Sequence, residues 1–202
     1  MRVRTEKKRQ EIIRVAAGLF EELGYERTSM SAISTRVGGS KATLYGYFSS
    51  KEDLLRAVLN HDVNQEADRL LHEFLAEKDL RSGLIRLGIS YLSRHQIRAA
   101  NIRTVANQPI AEEFYTSVLR PAWQRLADRF ATMMKEGRLK FADPWTTAMH
   151  WKGLTEWDLL ERHLLSAKDA GDPNDIVTAA TAAADAFLKV YAAPLEPREA
   201  AL

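Results

Sequence analysis

The stretch TSMSAISTRVGGSKATLYGYFSSKE, residues 28–52, says the most about the fold of this chain. Apolar residues in its first half recur at steps of three and four, the spacing of one helix face. The glycine pair 38–39 interrupts this pattern, and Ser40 follows where it can cap a second short helix. Leu44 and Phe48, four residues apart, predict the buried side of that helix. Two short helices joined by a glycine-containing turn are typical of a helix-turn-helix, whose second helix lies in the DNA major groove.

Capping residues predict where the helices around this unit begin and end. Helix one is predicted over residues 5–23, with Gly24 as the residue that stops it. Thr28 is the predicted N-cap of helix two. Ser49 and Glu52 have the spacing of a capping box that opens helix four. The first three helices should therefore form a small bundle.

The remainder of the chain also shows helical periodicity, with glycines and prolines between the periodic segments. Helix four should continue to about Leu75. Further helices are predicted over residues 79–95, 97–107, 109–136, 144–166 and 173–192. Pro121 falls inside one of them and predicts a kink or a split. The predicted fold class is all-α, with a three-helix helix-turn-helix DNA-binding domain over residues 1–52 and a larger helical ligand-binding and dimerisation domain over residues 53–202.

Charge is unevenly distributed along the chain. Residues 1–51 contain 10 Lys and Arg against 5 Asp and Glu, a net charge of +5. The rest contains 29 − 10 = 19 basic and 27 − 5 = 22 acidic residues, a net charge of −3. A basic N-terminal module on a mildly acidic body suits a module that faces phosphate. On charge alone, chance clustering is the alternative.

Composition excludes several classes of site. The chain contains no cysteine, which rules out disulfides, thiolate metal sites and cysteine nucleophiles. No uncharged run approaches the roughly 18 residues that span a bilayer, so no membrane partner is predicted. The first residues are charged and lack an apolar signal core, so we expect a cytoplasmic protein. The histidines lack metal-binding spacing, and neither a metal nor another cofactor is predicted.

Helix three should present side chains to DNA on the side opposite Leu44 and Phe48. Recognition helices contact bases with their N-terminal residues, so the predicted base-reading residues are Lys41, Ala42 and Tyr45. A lysine can donate to guanine, and an alanine methyl can contact a thymine methyl. The residues predicted to contact phosphates, which set the register, are Thr43, Tyr47 and Lys51. The alternative is that the tyrosines pack in the bundle and that the lysine at the start of the helix is only solvated.

A longer set of residues within 12–55 matches a known pattern. The matching residues are Tyr25, Thr28, Ser29, Met30, Ile33, Gly38, Ser40, Lys41, Thr43, Leu44, Tyr45, Tyr47, Phe48, Ser50, Lys51, Glu52, Asp53, Leu54 and Leu55. With this set the stretch closely resembles the N-terminal domain of the TetR family of bacterial transcriptional regulators. The resemblance implies the same DNA contacts and adds a contact from Thr28 to the phosphate backbone. Ser40 completes the predicted DNA-binding set. Where the family usually reads Ala-Gly-Val-Ser-Lys-Gly-Thr, this chain has Gly39 and Ala42, so the base preference is not predicted.

The C-terminal body is rich in large aromatic and thioether side chains. Such side chains, with a few polar groups between helices, are typical of a cavity for a small and largely apolar effector. The predicted ligand-binding residues are Tyr91, His95, Phe114, Trp123, Met133, Met149, His150 and Trp151. The alternative for each of them is ordinary core packing.

The last two long helices are predicted to form a homodimer. Residues 178–187 combine high helix propensity with small side chains, which allow another helix to approach closely. Residues 156–163 would be the partner stretch, and the family resemblance favours a dimer through these helices. The alternative is an alanine-rich helix that packs on its own core.

The leading hypothesis is a ligand-responsive transcriptional repressor. Its dimer would hold two recognition helices about 34–36 Å apart on a near-palindromic operator of double-stranded DNA. An effector would favour a state with a different spacing and so release the operator. One alternative is a helical adaptor whose helix-turn-helix no longer binds DNA, for which Gly39 is the argument. The other is an enzyme, but the His-Glu-x-x-His, Gly-x-Ser-x-Gly, Walker and Gly-x-Gly-x-x-Gly motifs are absent from the sequence.

Overall fold

The computed structural model describes residues 5–106, 109–165 and 172–194, without the side chains of residues 95–98. Its helices are α1 (Glu6–Leu23), α2 (Met30–Val37), α3 (Lys41–Tyr47), α4 (Lys51–Ala76), α5 (Leu80–Leu92), α6 (His95–Val105), α7 (Ala111–Phe114), α8 (Arg120–Lys135), α9 (Pro144–Glu156), α10 (Leu159–Leu164) and α11 (Pro173–Tyr191). Within these ranges no strand occurs, and Leu139 and Ala192 form an isolated antiparallel bridge. The all-α prediction is confirmed.

The chain forms two compact units, each built from two separate segments. The first unit comprises Met1–Glu66 and Ala100–Leu119, and the second comprises Ala67–Ala99 and Arg120–Leu202. The division therefore falls inside α4, whereas the predicted boundary lies next to its first residue. The first unit also contains most of α6 and all of α7, which the sequence analysis assigned to the C-terminal domain.

Helices α1–α3 and the first turns of α4 surround one apolar core in the first unit. Helix α1 contributes Ile12, Ala16 and Leu19 to this core, each at most 3 % exposed. Leu44 and Phe48 of α3 point into the same core, and both are almost fully buried. The predicted bundle of three helices is thus present, with α3 held from behind by these two side chains.

The cap of α2 is Ser29, not Thr28 as predicted. The Ser29 hydroxyl accepts a hydrogen bond from the backbone N–H of Ala32 at 3.1 Å. Thr28 points inward instead, because its hydroxyl donates to the backbone carbonyls of Leu19 at 3.1 Å and Gly24 at 2.8 Å. The Thr28 hydroxyl therefore ties the connection between α1 and α2 to the end of α1.

The cap of α4 also lies one residue beyond the prediction. The Ser50 hydroxyl accepts from the backbone N–H of Asp53 at 3.0 Å, and the Asp53 carboxylate accepts from the N–H of Ser49 at 2.8 Å. Glu52, the predicted partner of Ser49, instead accepts a hydrogen bond from Arg56 one turn along the helix. The capping box is therefore formed by Ser50 and Asp53.

A second apolar cluster in the first unit packs the middle of α4 against α6, α7 and the π-helical segment Tyr115–Leu119 that follows α7. Its buried members are Leu55, Leu59, Val105, Ile110, Phe114 and Val118. This cluster connects the helix that follows the DNA-binding bundle to residues far along the sequence.

The core of the second unit lies where α11 packs against α5 and α9. Trp151 of α9 meets Phe187 of α11 edge to face, with ring centroids 5.6 Å apart. The crossing of α5 and α11 is very close, since a Cβ atom added to Gly88 would lie 2.9 Å from the Cβ atom of Ala180. A glycine is required there because any side chain would collide with α11.

Four alanines of the alanine-rich stretch of α11 face its own unit, as the alternative of packing on its own core describes. Its buried alanines are Ala179, Ala180, Ala183 and Ala184. The close approach that small residues allow is made by α5 of the same chain. On the outward side the same stretch presents Ala182 and Ala186.

Two predicted helices are interrupted. In the segment predicted over 109–136, the π-helical residues Tyr115–Leu119 separate α7 from α8. They lie in the turn before Pro121, where the sequence predicted a kink or a split. The helix predicted over 144–166 ends at Glu156, because Trp157 adopts φ 51° and breaks the helical path before α10 begins. No glycine or proline marks that break in the sequence.

Candidate DNA interface and effector site

The outward face of α3 presents the three predicted base-reading residues. Lys41 and Ala42 in its first turn are exposed, and Tyr45 is 51 % exposed. Leu44 and Phe48 occupy the opposite face and are buried in the bundle. The helix therefore offers an ammonium group, a methyl group and a phenol at its surface while its apolar side fixes its orientation.

Two hydroxyl groups lie together at the start of α3. The Ser40 hydroxyl caps the helix by accepting from the backbone N–H of Thr43 at 3.0 Å. The two side-chain oxygens of Ser40 and Thr43 are 2.9 Å apart, so one hydroxyl donates to the other. The second hydroxyl hydrogen can then be donated outward, as a phosphate contact requires.

Tyr47 joins the end of α3 to the start of α1. Its hydroxyl oxygen accepts a hydrogen bond from the backbone N–H of Thr5, the N-cap residue of α1, at 3.0 Å. A phenol that accepts in this way keeps its own hydrogen for another acceptor. Tyr47 is therefore able to bind a phosphate oxygen while it positions α1.

Lys51 is held by the connection between α1 and α2. Its ammonium group donates to the backbone carbonyl of Tyr25 at 2.9 Å and lies 4.2 Å from the centroid of the Tyr25 ring. Burial raises the pKa of the Tyr25 hydroxyl, and the carboxylates of Glu52 and Glu26 act in the same direction. The ring therefore stays neutral, and the lysine contributes a fixed positive charge beside the surface of α3.

An open depression of about 460 Å³ lies between the start of α2 and the exposed side of α3. Its lining includes the predicted residues Lys41, Tyr45 and Lys51 together with Arg27 and Ser29, which the sequence analysis missed. The signal for these two was the Arg-Thr-Ser run that precedes α2, where either hydroxyl residue could have been the cap. Glu26 lines the same depression, so three cations stand against one carboxylate, and the net positive charge suits the oxygens of a DNA backbone.

Thr28 was predicted as a phosphate contact, and the structure places its side chain elsewhere. It is 1 % exposed, and its hydroxyl is already bonded to the two carbonyls at the end of α1. A phosphate at the surface would not reach this hydroxyl, since the donated hydrogen and the burial both direct it inward. Ser29 next to it is exposed.

The predicted effector-binding residues whose side chains the structure describes lie in different environments. Phe114 belongs to the first unit, where it packs in the cluster around α4. Met133 and Trp151 are buried in the core of the second unit, and Met149 packs against that core from a half-buried position. For these residues the core-packing alternative describes their surroundings.

The two predicted histidines are accounted for differently. His150 is exposed, and its Nδ1 atom lies 2.5 Å from the hydroxyl of Tyr191, which links α9 to α11. The side chain of His95 lies outside those that the structure describes.

Tyr91 and Trp123 are brought together, and they frame a charged pair that the sequence analysis missed. Their rings meet edge to face with centroids 5.3 Å apart. The Tyr91 hydroxyl donates to one carboxylate oxygen of Glu156 at 2.6 Å, and the Lys152 ammonium group donates to the other. The same ammonium group lies 5.9 Å from the centroid of the Trp123 ring. In the sequence Lys152 and Glu156 have the i, i+4 spacing of an ordinary surface ion pair, so the sequence does not distinguish them from one.

The described residues contain neither a cluster of metal ligands nor a helix that could span a membrane. No group of three or more His, Asp or Glu side chains in that part of the chain converges as metal ligands would. None of the helices described is both long enough and apolar enough to cross a membrane.

Comparison with known proteins assigns both halves of the chain. Residues 12–58 match the family described as bacterial regulatory proteins, tetR family, and residues 90–193 match the C-terminal domain of AefR-like transcriptional repressors. The uncharacterised HTH-type transcriptional regulator YhgD of Bacillus subtilis (strain 168) is 25 % identical over 147 residues, which are 68 % of this chain and 74 % of that protein.

Solved structures share the fold over nearly the whole chain. A TetR-family transcriptional regulator from Mesorhizobium loti superposes with a TM-score of 0.83 at 24 % identity, covering 95 % of this chain and 100 % of that one. The flavonoid-responsive regulator FrrA superposes with a TM-score of 0.67 at 29 % identity, again over 95 % of this chain and 100 % of its own. The two-domain helical architecture is therefore common to these proteins.

Proposed function

This chain belongs to the TetR family of bacterial transcriptional regulators, and from that premise we propose that it represses transcription at a near-palindromic operator until a small molecule releases it. The observation that carries the proposal is the outward face of α3. Its lysine, alanine and tyrosine side chains are exposed, while Leu44 and Phe48 hold the helix from behind. Such a face reads base edges when the helix lies in the major groove.

In this proposal the residues divide into those that read bases and those that position the protein. Lys41 donates to guanine O6 or N7, Ala42 contacts a thymine methyl, and Tyr45 reaches a neighbouring base edge. The phosphate contacts come from Ser40, Thr43, Tyr47 and Lys51, joined by Arg27 and Ser29 in place of Thr28. The phosphate contacts supply affinity that falls with salt, and the base contacts supply sequence preference.

The test is operator binding by variants, with an operator first selected from a random-sequence DNA library. Lys41→Ala should change which bases are preferred, whereas Thr43→Ala should weaken binding to every operator variant alike. Lys135→Ala removes an exposed lysine of α8 in the second unit and serves as the matched control. Fluorescence anisotropy at several salt concentrations gives both the base preference and the salt slope, which should stay unchanged for Thr43→Ala because a neutral hydroxyl releases no counterion.

Two results would contradict the proposal. An equal loss on every operator variant for Lys41→Ala would assign this lysine to a phosphate and remove the basis for base reading by α3. Binding that does not weaken with salt would favour an adaptor protein, because contacts to DNA phosphates release counterions.

We also propose that the repressor is a homodimer, joined through the outward faces of α9 and α11. On α9 the exposed residues Gly153 and Leu154 follow the exposed His150 at steps of three and four, so the three share a face, and the exposed Trp157 comes directly after the last residue of the helix. On α11 the outward residues are Ala182, Ala186 and Val190, at steps of four. The two helices pack against each other, so these side chains offer a surface of small and apolar groups that suits a second copy.

The proposed response to an effector uses a connection inside the first unit. The Arg56 guanidinium group of α4 donates to Glu52 in the preceding turn at 2.7 Å and to Glu113 of α7 at 2.9 Å. Beneath this pair, Phe114 and Leu55 belong to the same apolar cluster. A shift of α7 would therefore move the first turns of α4, which begin directly after the helix-turn-helix. An effector changes operator affinity only by its difference in affinity between the two positions of these helices.

A further inference from the structure

We infer that Tyr91, Trp123 and Glu156 form a binding site for an organic ammonium ion, and that the Lys152 side chain fills this site when no effector is bound. The three helices α5, α8 and α9 each contribute to it, and all four residues belong to the second unit. Organic ammonium ions are thus the proposed chemical class of the effector. Only the release of operator DNA by such a ligand rests on the proposed function.

The acceptor of the site is fixed. The Glu156 carboxylate is 12 % exposed and has a partner on each oxygen, the Tyr91 hydroxyl at 2.6 Å and the Lys152 ammonium group. Tyr91 is itself buried against the Trp123 ring. A carboxylate in such a position requires a compensating cation, because burial of an unpaired charge is costly.

The cation of the site is the movable part. The Lys152 side chain is 31 % exposed, so its ammonium group stands at the solvent side of the pair. A lysine that swings outward regains the hydration of its ammonium group and the rotamer freedom of its chain. Leaving the site therefore costs Lys152 less than the loss of its partner would cost Glu156.

The surroundings select an ammonium ion as the replacement. A ligand ammonium group would take the hydrogen bond to Glu156 and the position near the face of Trp123, where a cation is attracted by the ring. Its apolar body would add contact with the aromatic rings. The exchange leaves the charge of the site unchanged, since one cation enters as another moves into water.

An anionic ligand does not suit the same place. It would have to draw Lys152 away from Glu156 and would leave that carboxylate without a cation at low exposure. The Tyr91 hydroxyl already donates its hydrogen to the Glu156 carboxylate, so it is not available as a donor to an anionic ligand. Because Glu156 is more buried than Lys152, the site favours a positively charged ligand.

The test uses benzylamine, which is protonated at neutral pH, and benzyl alcohol as its uncharged analogue of similar shape. Binding to the full-length chain is measured by isothermal titration calorimetry. Lys152→Met keeps the volume but removes the competing cation, and it should strengthen benzylamine binding about tenfold. Glu156→Gln keeps an acceptor for Tyr91 but removes the charge, and it should weaken benzylamine binding at least tenfold. Lys135→Met, on the exposed end of α8, should leave the affinity as in the natural chain.

Two results would overturn the assignment, and both are separate from the test of the repressor. Equal affinities of Glu156→Gln and the natural chain for benzylamine would show that the carboxylate is no ligand. Benzyl alcohol that binds as tightly as benzylamine to Lys152→Met would show that the charge is not recognised. If benzylamine follows the expected order but never changes operator affinity, the ammonium site stands and the proposed release of DNA fails.

Discussion

Substitution of Gly153 gives the sharpest test of the proposed dimer. This residue lies in the interior of α9 on its outward face, and a Cβ atom added there would meet no atom within 4 Å in the protomer. A glycine inside a helix is less stable than an alanine by about 1 kcal/mol. Gly153→Ala should therefore stabilise the isolated protomer by up to about that amount.

In the dimer, by contrast, a large side chain at position 153 should be destabilising. A two-fold interface contains the substituted position twice, so Gly153→Arg introduces two bulky, unpaired guanidinium groups into the helix contact. Burial of an unpaired charge costs several kcal/mol, and a loss of about 3 kcal/mol corresponds to a more than hundredfold rise of the dimer Kd. Because side chains at this position have free space in the protomer, the variant should still fold.

The measurement is analytical ultracentrifugation over a range of concentrations, together with thermal unfolding at the lowest of them. Gly18→Ala is the control, since Gly18 lies in α1 of the first unit and a Cβ atom there also meets nothing within 4 Å. It should show the same gain in helix stability with no change in the dimer Kd. A folded Gly153→Arg protein with the dimer Kd of the natural chain would refute the assignment of the interface to this face.

Three further predictions follow from individual contacts. Gly88→Ala should destabilise the chain by about 1–3 kcal/mol in denaturant unfolding, because its Cβ atom would collide with α11, and an unchanged midpoint would contradict the close crossing. Glu113→Gln, but not Glu112→Gln, should raise hydrogen exchange in α7 and the first turns of α4 by up to about fivefold, as the loss of an exposed ion pair of at most about 1 kcal/mol allows. Hydrogen bonds from Thr146 lower the pKa of the Asp143 carboxyl group below its ordinary value of 3.8. The ionised carboxylate therefore stabilises α9 in full at a pH above 3.8, and this stabilisation is lost as the pH falls through the lowered pKa. Asp143→Asn should make acid unfolding of the chain less steep, and an identical acid profile would count against the cap.

The helix-turn-helix could be predicted because its determinants are local. The glycine turn, the Ser40 cap and the buried pair Leu44 and Phe48 all act within a few residues of one another. The prediction was wrong by one residue where two neighbours can play the same part, as at the cap of α2. The hydroxyls of Thr28 and Ser29 are equivalent as caps. The Thr28 hydroxyl is buried and bonds to the end of α1, which is a tertiary contact, so Ser29 caps α2 instead.

The C-terminal body could be predicted only as a set of helices. Large apolar side chains at helical spacing describe a core and a cavity equally well, and Met133 and Trp151 proved to be core. The ion pair of Lys152 and Glu156 was missed because its surroundings come from two other helices. The break at Trp157 has no local signal either, since neither glycine nor proline stands there.

The small residues of α5, α9 and α11 show most directly what a sequence leaves open. Gly88 and Ala180 are explained within the protomer, because their helices touch at the point where both side chains are minimal. Gly153 has no such neighbour, and Trp157, directly after the same helix, keeps a positive φ that costs an ordinary side chain about 1–3 kcal/mol. Both features destabilise the protomer, and the Trp157 side chain is 57 % exposed. They are accounted for together if a second copy packs against this face, where the glycine lets the helices approach and the exposed indole becomes buried.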